Sequence, residues 1–184
     1  MDRQLVELAQ RGDEDAFDAL VRATGDRCLG IAYRILRDVD LAEDAVQATY
    51  VSAWRELRSL REPDRFEAWL HRTLTRACYE ESRKARRFAA NVRALPIEST
   101  FAPDDVMTVV DRDQLERGIR RLSVEQRAVL VFHHYLGLTL AEVADHLDIP
   151  IGTAKSRLNY ATNALRAALD ADARPALDSQ ERPA

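Results

Sequence analysis

The sequence contains few of the residues that mark many other classes of protein. Its two cysteines, Cys28 and Cys78, form no CxxC pair, so neither a disulfide framework nor a structural metal site is predicted. Glycine and proline number six each, and no long run alternates apolar and polar residues, which disfavours a β-sheet. The longest apolar stretch, about residues 128–140, is broken by two histidines and is too short to cross a bilayer. We therefore expect an all-α, cytoplasmic protein with no metal, no cofactor and no membrane insertion.

The formal net charge of −4 hides a segregated pattern. Residues 1–54 carry six basic and eleven acidic residues, whereas residues 55–93 carry eleven basic and six acidic residues. An acidic block followed by a basic block predicts two partners of opposite charge. Charge alone leaves the alternative open that these are ordinary solvated faces.

Helical spacing of apolar residues predicts four helices in the first half, at about 2–10, 13–36, 40–57 and 64–87. Asp40 and Glu43 have capping-box spacing, so Asp40 is the predicted N-cap of the third helix. This helix displays acidic and polar side chains on one side. The candidate partner-binding residues of the acidic helix are Asp38, Asp40, Glu43, Asp44 and Gln47.

Arginines recur along the fourth predicted helix and in the loop before it. Those on the helix are spaced by four, seven and four residues, and such a row can follow a phosphate backbone. The Arg-rich loop at 57–65 could hold an unstacked base beside aromatic side chains. Phe66 and Trp69 are expected to be core residues. The candidate DNA-binding residues here are Arg58, Arg61, Arg65, Arg72, Arg76, Arg83 and Arg87.

Pro96, Pro103 and an acidic pair interrupt any helical period after the fourth helix. We expect a flexible acidic linker at 91–110 between an N-terminal domain, 1–90, and a C-terminal helical domain, 111–170. Helices are predicted in the second domain at about 111–122, 123–135, 140–147 and 153–169, with capping-box spacing at residues 123 and 139. The tail, 171–184, has few apolar residues and is predicted to be disordered.

The last two predicted helices form a helix-turn-helix pattern, with residues 149–152 as the turn and Gly152 relieving crowding there. The second helix has an apolar stripe on one side and basic or amide side chains on the other, with no acid between residues 152 and 166. It is predicted to read the DNA major groove. The alternative is an ordinary hairpin whose polar side faces water. The candidate DNA-binding residues are Thr153, Lys155, Ser156, Arg157, Asn159 and Tyr160.

A segment from Asp38 to Trp54 resembles the core-binding segment of bacterial sigma-70 family factors. Four further motifs follow in the family's order: Phe66-x-x-Trp69-Leu70, the linker, Leu122-Ser-x-x-Gln-Arg127, and Gly152-Thr-Ala-Lys-Ser-Arg-Leu158. Over about residues 8–170 the chain is similar to the extracytoplasmic-function (ECF, group 4) subfamily, which keeps sigma regions 2 and 4 and lacks region 3.

The resemblance implies two small helical domains, a region 2 bundle and a region 4 helix-turn-helix. The acidic helix would bind the β′ coiled coil of core RNA polymerase, and the polymerase β flap would be a second contact. The Arg-rich loop and helix would recognise and open the −10 promoter element, and the last helix would read the −35 element. The resemblance also implies an anti-sigma factor partner and a place at the nucleoid when active.

Several positions depart from the family pattern, among them Glu80, where Asp is common, and Ser123, where Pro is common. Arg76 stands where Asn is common, and Tyr160 and Thr162 stand where Arg is frequent, so the detailed DNA contacts are expected to differ. The sequence leaves two alternative functions to consider. A free-standing helix-turn-helix regulator would leave the acidic helix without a role. An enzyme is disfavoured because no Gly-rich phosphate loop, metal-spaced cluster or nucleophile–base pair is visible.

Overall fold

The computed structural model describes residues 2–91 and 109–178, and all regular structure in these ranges is helical. The eight α-helices are α1 (Arg3–Gln10), α2 (Glu14–Leu36), α3 (Val39–Glu56), α4 (Phe66–Asn91), α5 (Val109–Arg121), α6 (Val124–Leu130), α7 (Leu140–Leu147) and α8 (Ile151–Asp178). Short 3-10 turns lie between α3 and α4, and α6 continues into a π-helical turn, Val131–Tyr135. The prediction of an all-α fold is confirmed. Within the described ranges, no helix is long and apolar enough to cross a membrane.

Helices α1 to α4 form an N-terminal bundle in which α3 packs on both α2 and α4. The start of α2 follows from its sequence, because the Asp13 side chain accepts a hydrogen bond from the amide of Ala16 and Glu14 and Asp15 occupy the positive end of the helix dipole. The centre of the bundle is apolar, and each fully buried Leu, Ile or Phe contributes about 1.5–3 kcal/mol. Its largest buried side chains are Val6, Leu20, Ile31, Ile35, Leu57, Phe66, Leu70 and Leu74.

The N-cap of α3 is Asp38, and the prediction of Asp40 was wrong. The Asp38 carboxylate accepts a hydrogen bond from the amide of Leu41, and Asp40 lies in the first turn of the helix. Arg37 ends α2 in the left-handed conformation, with φ of 60°, which turns the chain so that Asp38 reaches the capping position. Local sequence could not separate two capping-competent aspartates two residues apart.

Helices α5 to α8 form a C-terminal bundle centred on the fully buried Val129, Val143, Ala154 and Ala161. Both predicted capping boxes are present, at Ser123 and at Thr139. Helix α5 approaches α8 closely at Gly118, where an added Cβ would lie 3.0 Å from Leu165 Cδ2. A Cβ at this position would require Leu165 and Ala168 to shift by a few tenths of an ångström.

The turn before α8 differs from the prediction. Asp148, and not Gly152, adopts the left-handed conformation, with φ of 56°, and α8 already begins at Ile151. The carbonyl of Pro150 accepts hydrogen bonds from the amides of Thr153 and Ala154, which places Gly152 in the first helical turn. A Cβ at Gly152 would meet nothing within 4 Å, so the glycine relieves no crowding.

The end of α8 also departs from the sequence prediction. The helix continues to Asp178, so the prediction of disorder from residue 171 was wrong for 171–178, where several alanines of high helix propensity prolong the helix. Residues 179–184 lie outside the described ranges. So does most of the predicted linker, which falls on 92–108.

The buried residues of the two bundles form one contiguous apolar core. Helix α7 lies against α4, and α6 lies against both α2 and α4. Where α6 meets α2, the side chain of Arg127 is buried. It donates hydrogen bonds to the carbonyls of Ile35, Ile119 and Leu122, near the ends of α2 and α5. The two bundles therefore form a closed arrangement, in which the C-terminal bundle covers part of α4.

Candidate nucleic-acid interface

The acidic surface of α3 is exposed in the closed arrangement. Asp40, Glu43, Asp44 and Gln47 all face solvent, whereas Asp38 is half-buried and has the capping role. The opposite side of α3 packs into the bundle through Ala42, Ala45, Thr49 and Ala53. The structure thus brings four of the five predicted residues onto one accessible face.

An apolar hollow of about 520 Å³ runs beside this acidic face, between α2 and α3. Glu43, Asp44 and Gln47 form one side of the hollow, and Val21 and Leu29 are among the residues on the other. Leu29 is 37% exposed although it is a large apolar residue. This surface can accept an apolar side chain flanked by basic residues.

Three of the predicted arginines meet at one pocket before and along α4. Arg61, Arg65 and Arg72 line a pocket of about 180 Å³ together with Leu60 and Trp69. Phe66 is buried, as predicted. Trp69 is only half-buried and faces the pocket, so treating it as a core residue was incomplete. An aromatic face beside three guanidinium groups can stack a base and bind its phosphate.

The remaining arginines lie at different places. Arg76, Arg83 and Arg87 are exposed farther along α4. Arg58 lies away from the pocket, over Gly12, and lines a separate hollow with Trp54. The predicted row therefore divides into a pocket, an exposed stretch of α4 and one outlying residue.

Two aspartates of the C-terminal bundle contact the arginines of α4 and of the loop before it. Asp145 forms an ion pair with Arg65, and the Asp145 carbonyl accepts a hydrogen bond of 2.7 Å from Arg72. Asp148 pairs with Arg76 at 3.1 Å. The Arg65 guanidinium, through its hydrogen bond, holds the pKa of Asp145 below its usual value. Sequence reasoning missed these contacts because Asp145 and Asp148 look like ordinary solvent-facing residues of the helix that supports α8.

Helix α8 presents the predicted DNA-facing side chains. Lys155, Ser156, Asn159 and Tyr160 are exposed, and Tyr160 is 61% exposed despite its size. Thr153 is half-buried, and its carbonyl accepts a hydrogen bond from the Ser156 hydroxyl. The surface is continuous over two turns of the helix.

Arg157 differs from the other predicted residues of α8 because it contacts the N-terminal bundle. It is half-buried, and its charge acts on the Tyr79 hydroxyl of α4. Burial raises the pKa of Tyr79 to about 12, so this hydroxyl stays protonated at neutral pH. Residues from both predicted DNA-binding surfaces thus contact the opposite bundle.

A pair of histidines lies beside the aspartate–arginine contacts. The Nδ1 atoms of His71 on α4 and His146 on α7 are 3.1 Å apart, and Phe132 packs edge-on against the His71 ring. Burial and the nearby His146 and Arg27 lower the pKa of His71 to about 3. Burial also lowers the pKa of His146. Both rings are therefore neutral at pH 7.

No metal or nucleophile site is evident in the part of the chain that the structure describes. No group of three or more His, Cys, Asp or Glu residues there could hold a metal ion. Cys28 and Cys78 are free and buried, and burial raises the pKa of Cys78 to about 12. Such thiols are poor nucleophiles at neutral pH.

Comparison with known proteins accounts for both bundles. Residues 20–88 match the family model of sigma-70 region 2, and residues 112–162 match that of sigma-70 region 4. The chain is 35% identical over 161 residues to the ECF RNA polymerase sigma factor SigL of Mycobacterium tuberculosis. This alignment covers 82% of the chain and 89% of SigL.

Two solved structures resemble the whole arrangement. CnrH, in complex with the cytosolic domain of CnrY, matches with a TM-score of 0.65 and 28% identity over 93% of this chain and 98% of CnrH. The sigma factor RpoE in complex with the anti-sigma factor NepR, from Bartonella quintana, matches with a TM-score of 0.68 and 26% identity over 85% of this chain and 98% of RpoE. Because the coverage is this high, each likeness includes both bundles.

Proposed function

The chain belongs to the ECF subfamily of RNA polymerase sigma factors, which direct promoter-specific transcription initiation, and from this membership we propose which of its surfaces perform each step. The N-terminal domain, 1–90, binds core polymerase and the −10 element. The C-terminal domain, 111–170, binds the −35 element. Residues 91–110 connect the two.

The acidic face of α3 binds the β′ coiled coil of core polymerase. The observation that supports this assignment is the exposure of Asp40, Glu43 and Asp44 beside an apolar hollow, on a bundle whose other functional side is basic. Complementary charge at such a surface increases the association rate and excludes wrong partners. Asp38 contributes indirectly, by capping the helix that carries the other residues.

The pocket of Arg61, Arg65, Arg72 and Trp69 takes up an unstacked base of the −10 element. Its size and aromatic wall suit a flipped base, because such a base leaves the duplex stack for a stacking surface and hydrogen-bond partners. Arg76, Arg83 and Arg87 bind the phosphates that follow along α4. Arg58 lies over Gly12, away from the pocket, so its contact is with the DNA backbone at the edge of this surface.

The exposed side of α8 reads the −35 element. Lys155 and Arg157 contact phosphates or guanine edges, and Ser156, Asn159 and Tyr160 contact base edges or sugars. Thr153 helps to place the start of the helix on the backbone. Tyr160 is large and uncharged, so this surface makes fewer phosphate contacts than one with an arginine there.

The chain supplies specificity and no chemistry of its own, in the cytoplasm and at the nucleoid. Its further partners are the β flap of polymerase, contacted by the C-terminal domain, and an anti-sigma factor. The proposal of an anti-sigma partner is supported by the likeness to RpoE, which was solved with the anti-sigma factor NepR.

Binding to core polymerase tests this assignment. Glu43→Lys with Asp44→Lys reverses the exposed charge, and we expect at least a tenfold loss of affinity for core polymerase, because like charges at an interface cost several kcal/mol. Glu14→Lys with Asp18→Lys makes the same change of net charge on the exposed side of α2 and should leave the affinity nearly unchanged. Affinity would be measured by fluorescence anisotropy with labelled sigma factor.

The same assay separates the proposal from a free-standing DNA-binding regulator. A regulator would bind its operator without polymerase, and core polymerase would not change its affinity. Wild-type protein that shows no binding to core polymerase at physiological salt would therefore contradict the proposed function. Equal losses in the α3 and α2 variants would contradict only the assignment of the α3 face.

A further inference from the structure

The contact between α4 and α7 contains ion pairs and a pair of histidines. The ion pairs of Arg65 with Asp145 of α7 and of Arg76 with Asp148, which follows α7, lie at its exposed edge. The His71–His146 pair lies deeper, with His71 only 3% exposed and Phe132 fully buried against it. His71 is thus almost fully removed from water, whereas His146 is half-buried.

The geometry of the pair requires a particular protonation state. Two Nδ1 atoms 3.1 Å apart can form a hydrogen bond only if one carries a proton and the other accepts it. Protonating the accepting ring removes the acceptor and leaves two N–H groups facing each other. Where the accepting ring is that of the buried His71, it also places a positive charge away from water, which is unfavourable.

The charged groups around the pair come from every side. Five of them act on one or both rings: Arg27 of α2, Arg65 before α4, Glu67 of α4, and Glu142 and Asp145 of α7. The carboxylates favour protonation of His146, but Glu67 is paired with Arg27 and Asp145 with Arg65. The π-helical turn contributes the apolar Phe132. Glu142 accepts hydrogen bonds from Thr139 in the capping box and is, among these groups, the carboxylate without a cationic partner.

We propose that the His71–His146 contact is a pH-sensitive latch that holds the C-terminal bundle over the arginines of α4 at neutral pH and releases it under mild acid. Release separates Asp145 and Asp148 from Arg65, Arg72 and Arg76. Tyr79 separates from Arg157 in the same step. The consequence for promoter binding depends on the proposed function, whereas the opening itself does not.

The direction of the pH dependence follows from the neutral state of the closed pair. A histidine with a lowered pKa in the closed form favours closure fully above its free pKa, and this contribution is lost as the pH falls below that value. His71, with a closed-form pKa of about 3, has an ordinary pKa of about 6.5 when released. His71 alone then shifts the closed-to-open ratio about tenfold toward the open form between pH 7.5 and 5.5.

Small-angle X-ray scattering of the full chain tests the latch without polymerase or DNA. A compact chain of this length has a radius of gyration of about 16 Å, and two separated bundles have a larger one. We expect the wild-type radius to increase between pH 7.5 and 5.5 at constant ionic strength. The double variant His71→Gln with His146→Gln, which leaves no titrating side chain in the pair, should stay compact at both values. His134→Gln, at an exposed histidine outside the interface, should open like the wild type.

Three outcomes would overturn the proposal. These are a wild-type radius that is the same at both pH values, a His71→Gln/His146→Gln double variant that opens as the wild type does, and an increase in radius accompanied by loss of far-UV helical signal. Should the double variant be open already at pH 7.5, NMR titration of the wild-type histidine rings decides. A pKa below 6 for His71 supports the latch, and an ordinary value contradicts it.

Discussion

The two functional surfaces of the N-terminal bundle differ in access within one conformation. On α3, Glu43 and Asp44 are exposed, and in the described part of the chain neither takes part in an ion pair. On the α4 side, Arg65 and Arg76 are paired with aspartates of the C-terminal bundle. The acidic surface is available to a basic partner, while these two arginines are already paired within the chain. This difference predicts an order in which polymerase is bound first and promoter DNA afterwards.

Removing the apolar support of the closed arrangement should have the largest effect. Phe132 is fully buried between α4 and α7, so Phe132→Ala should lower the free energy of unfolding by about 3–5 kcal/mol and uncover α4. Urea denaturation measures the first effect and amide hydrogen exchange in α4 the second. Phe88→Ala, at a 68% exposed phenylalanine, should change stability by less than about 0.5 kcal/mol. Similar losses in both variants would show that the burial of Phe132 does not matter.

Neutralising the two aspartates should have a smaller effect and make the two surfaces more alike. Asp145→Asn with Asp148→Asn keeps the side-chain shape, and asparagine tolerates the left-handed backbone at 148. Exposed ion pairs contribute about 0.2–1 kcal/mol each, so the free chain should bind single-stranded DNA several-fold more tightly. Anisotropy of a labelled oligonucleotide measures this. Asp15→Asn with Asp18→Asn on α2 makes the same change of charge. An equal gain in DNA affinity in this control would show that net charge alone causes the effect.

Two arginines of the same pocket offer the finest comparison. Arg61 and Arg65 both line it, but only Arg65 pairs with α7. Each change to Ala should reduce run-off transcription, whereas only Arg65→Ala should also weaken the closed arrangement, by less than about 1 kcal/mol. Hydrogen exchange in α7 reports on closure. Faster exchange in both variants, or in neither, would contradict the distinct role of Arg65.

Local features of the fold were predictable from the sequence. The capping boxes at Ser123 and Thr139 use a side chain and an amide three residues apart, so spacing alone reveals them. The exposed faces of α3 and α8 followed from helical periodicity in the same way. The N-cap of α3 and the start of α8 were misplaced because they depend on the left-handed residues Arg37 and Asp148, which carry no glycine signal.

The closed arrangement could not be predicted, because its contacts join residues about 70–80 positions apart in the sequence. Asp145 on α7 has the same local appearance as any solvent-facing aspartate, and His71 the same as any core histidine. What distinguishes them is the packing of α7 on α4, which depends on the apolar core shared by the two bundles. The candidate site was therefore predicted as separate surfaces, and their mutual contacts came only from the structure.

Arg127 gives the two bundles an attachment of a different kind. Its guanidinium donates to backbone carbonyls of α2 and α5, and these are dipoles, which dissolved ions screen less than they screen the exposed carboxylates at the α4–α7 edge. At high ionic strength we therefore expect the α4–α7 edge to separate while the α2–α6 edge stays joined. The two bundles would then rotate apart about Arg127 as a hinge. Because the α2–α6 contact persists, they could return to the same closed arrangement.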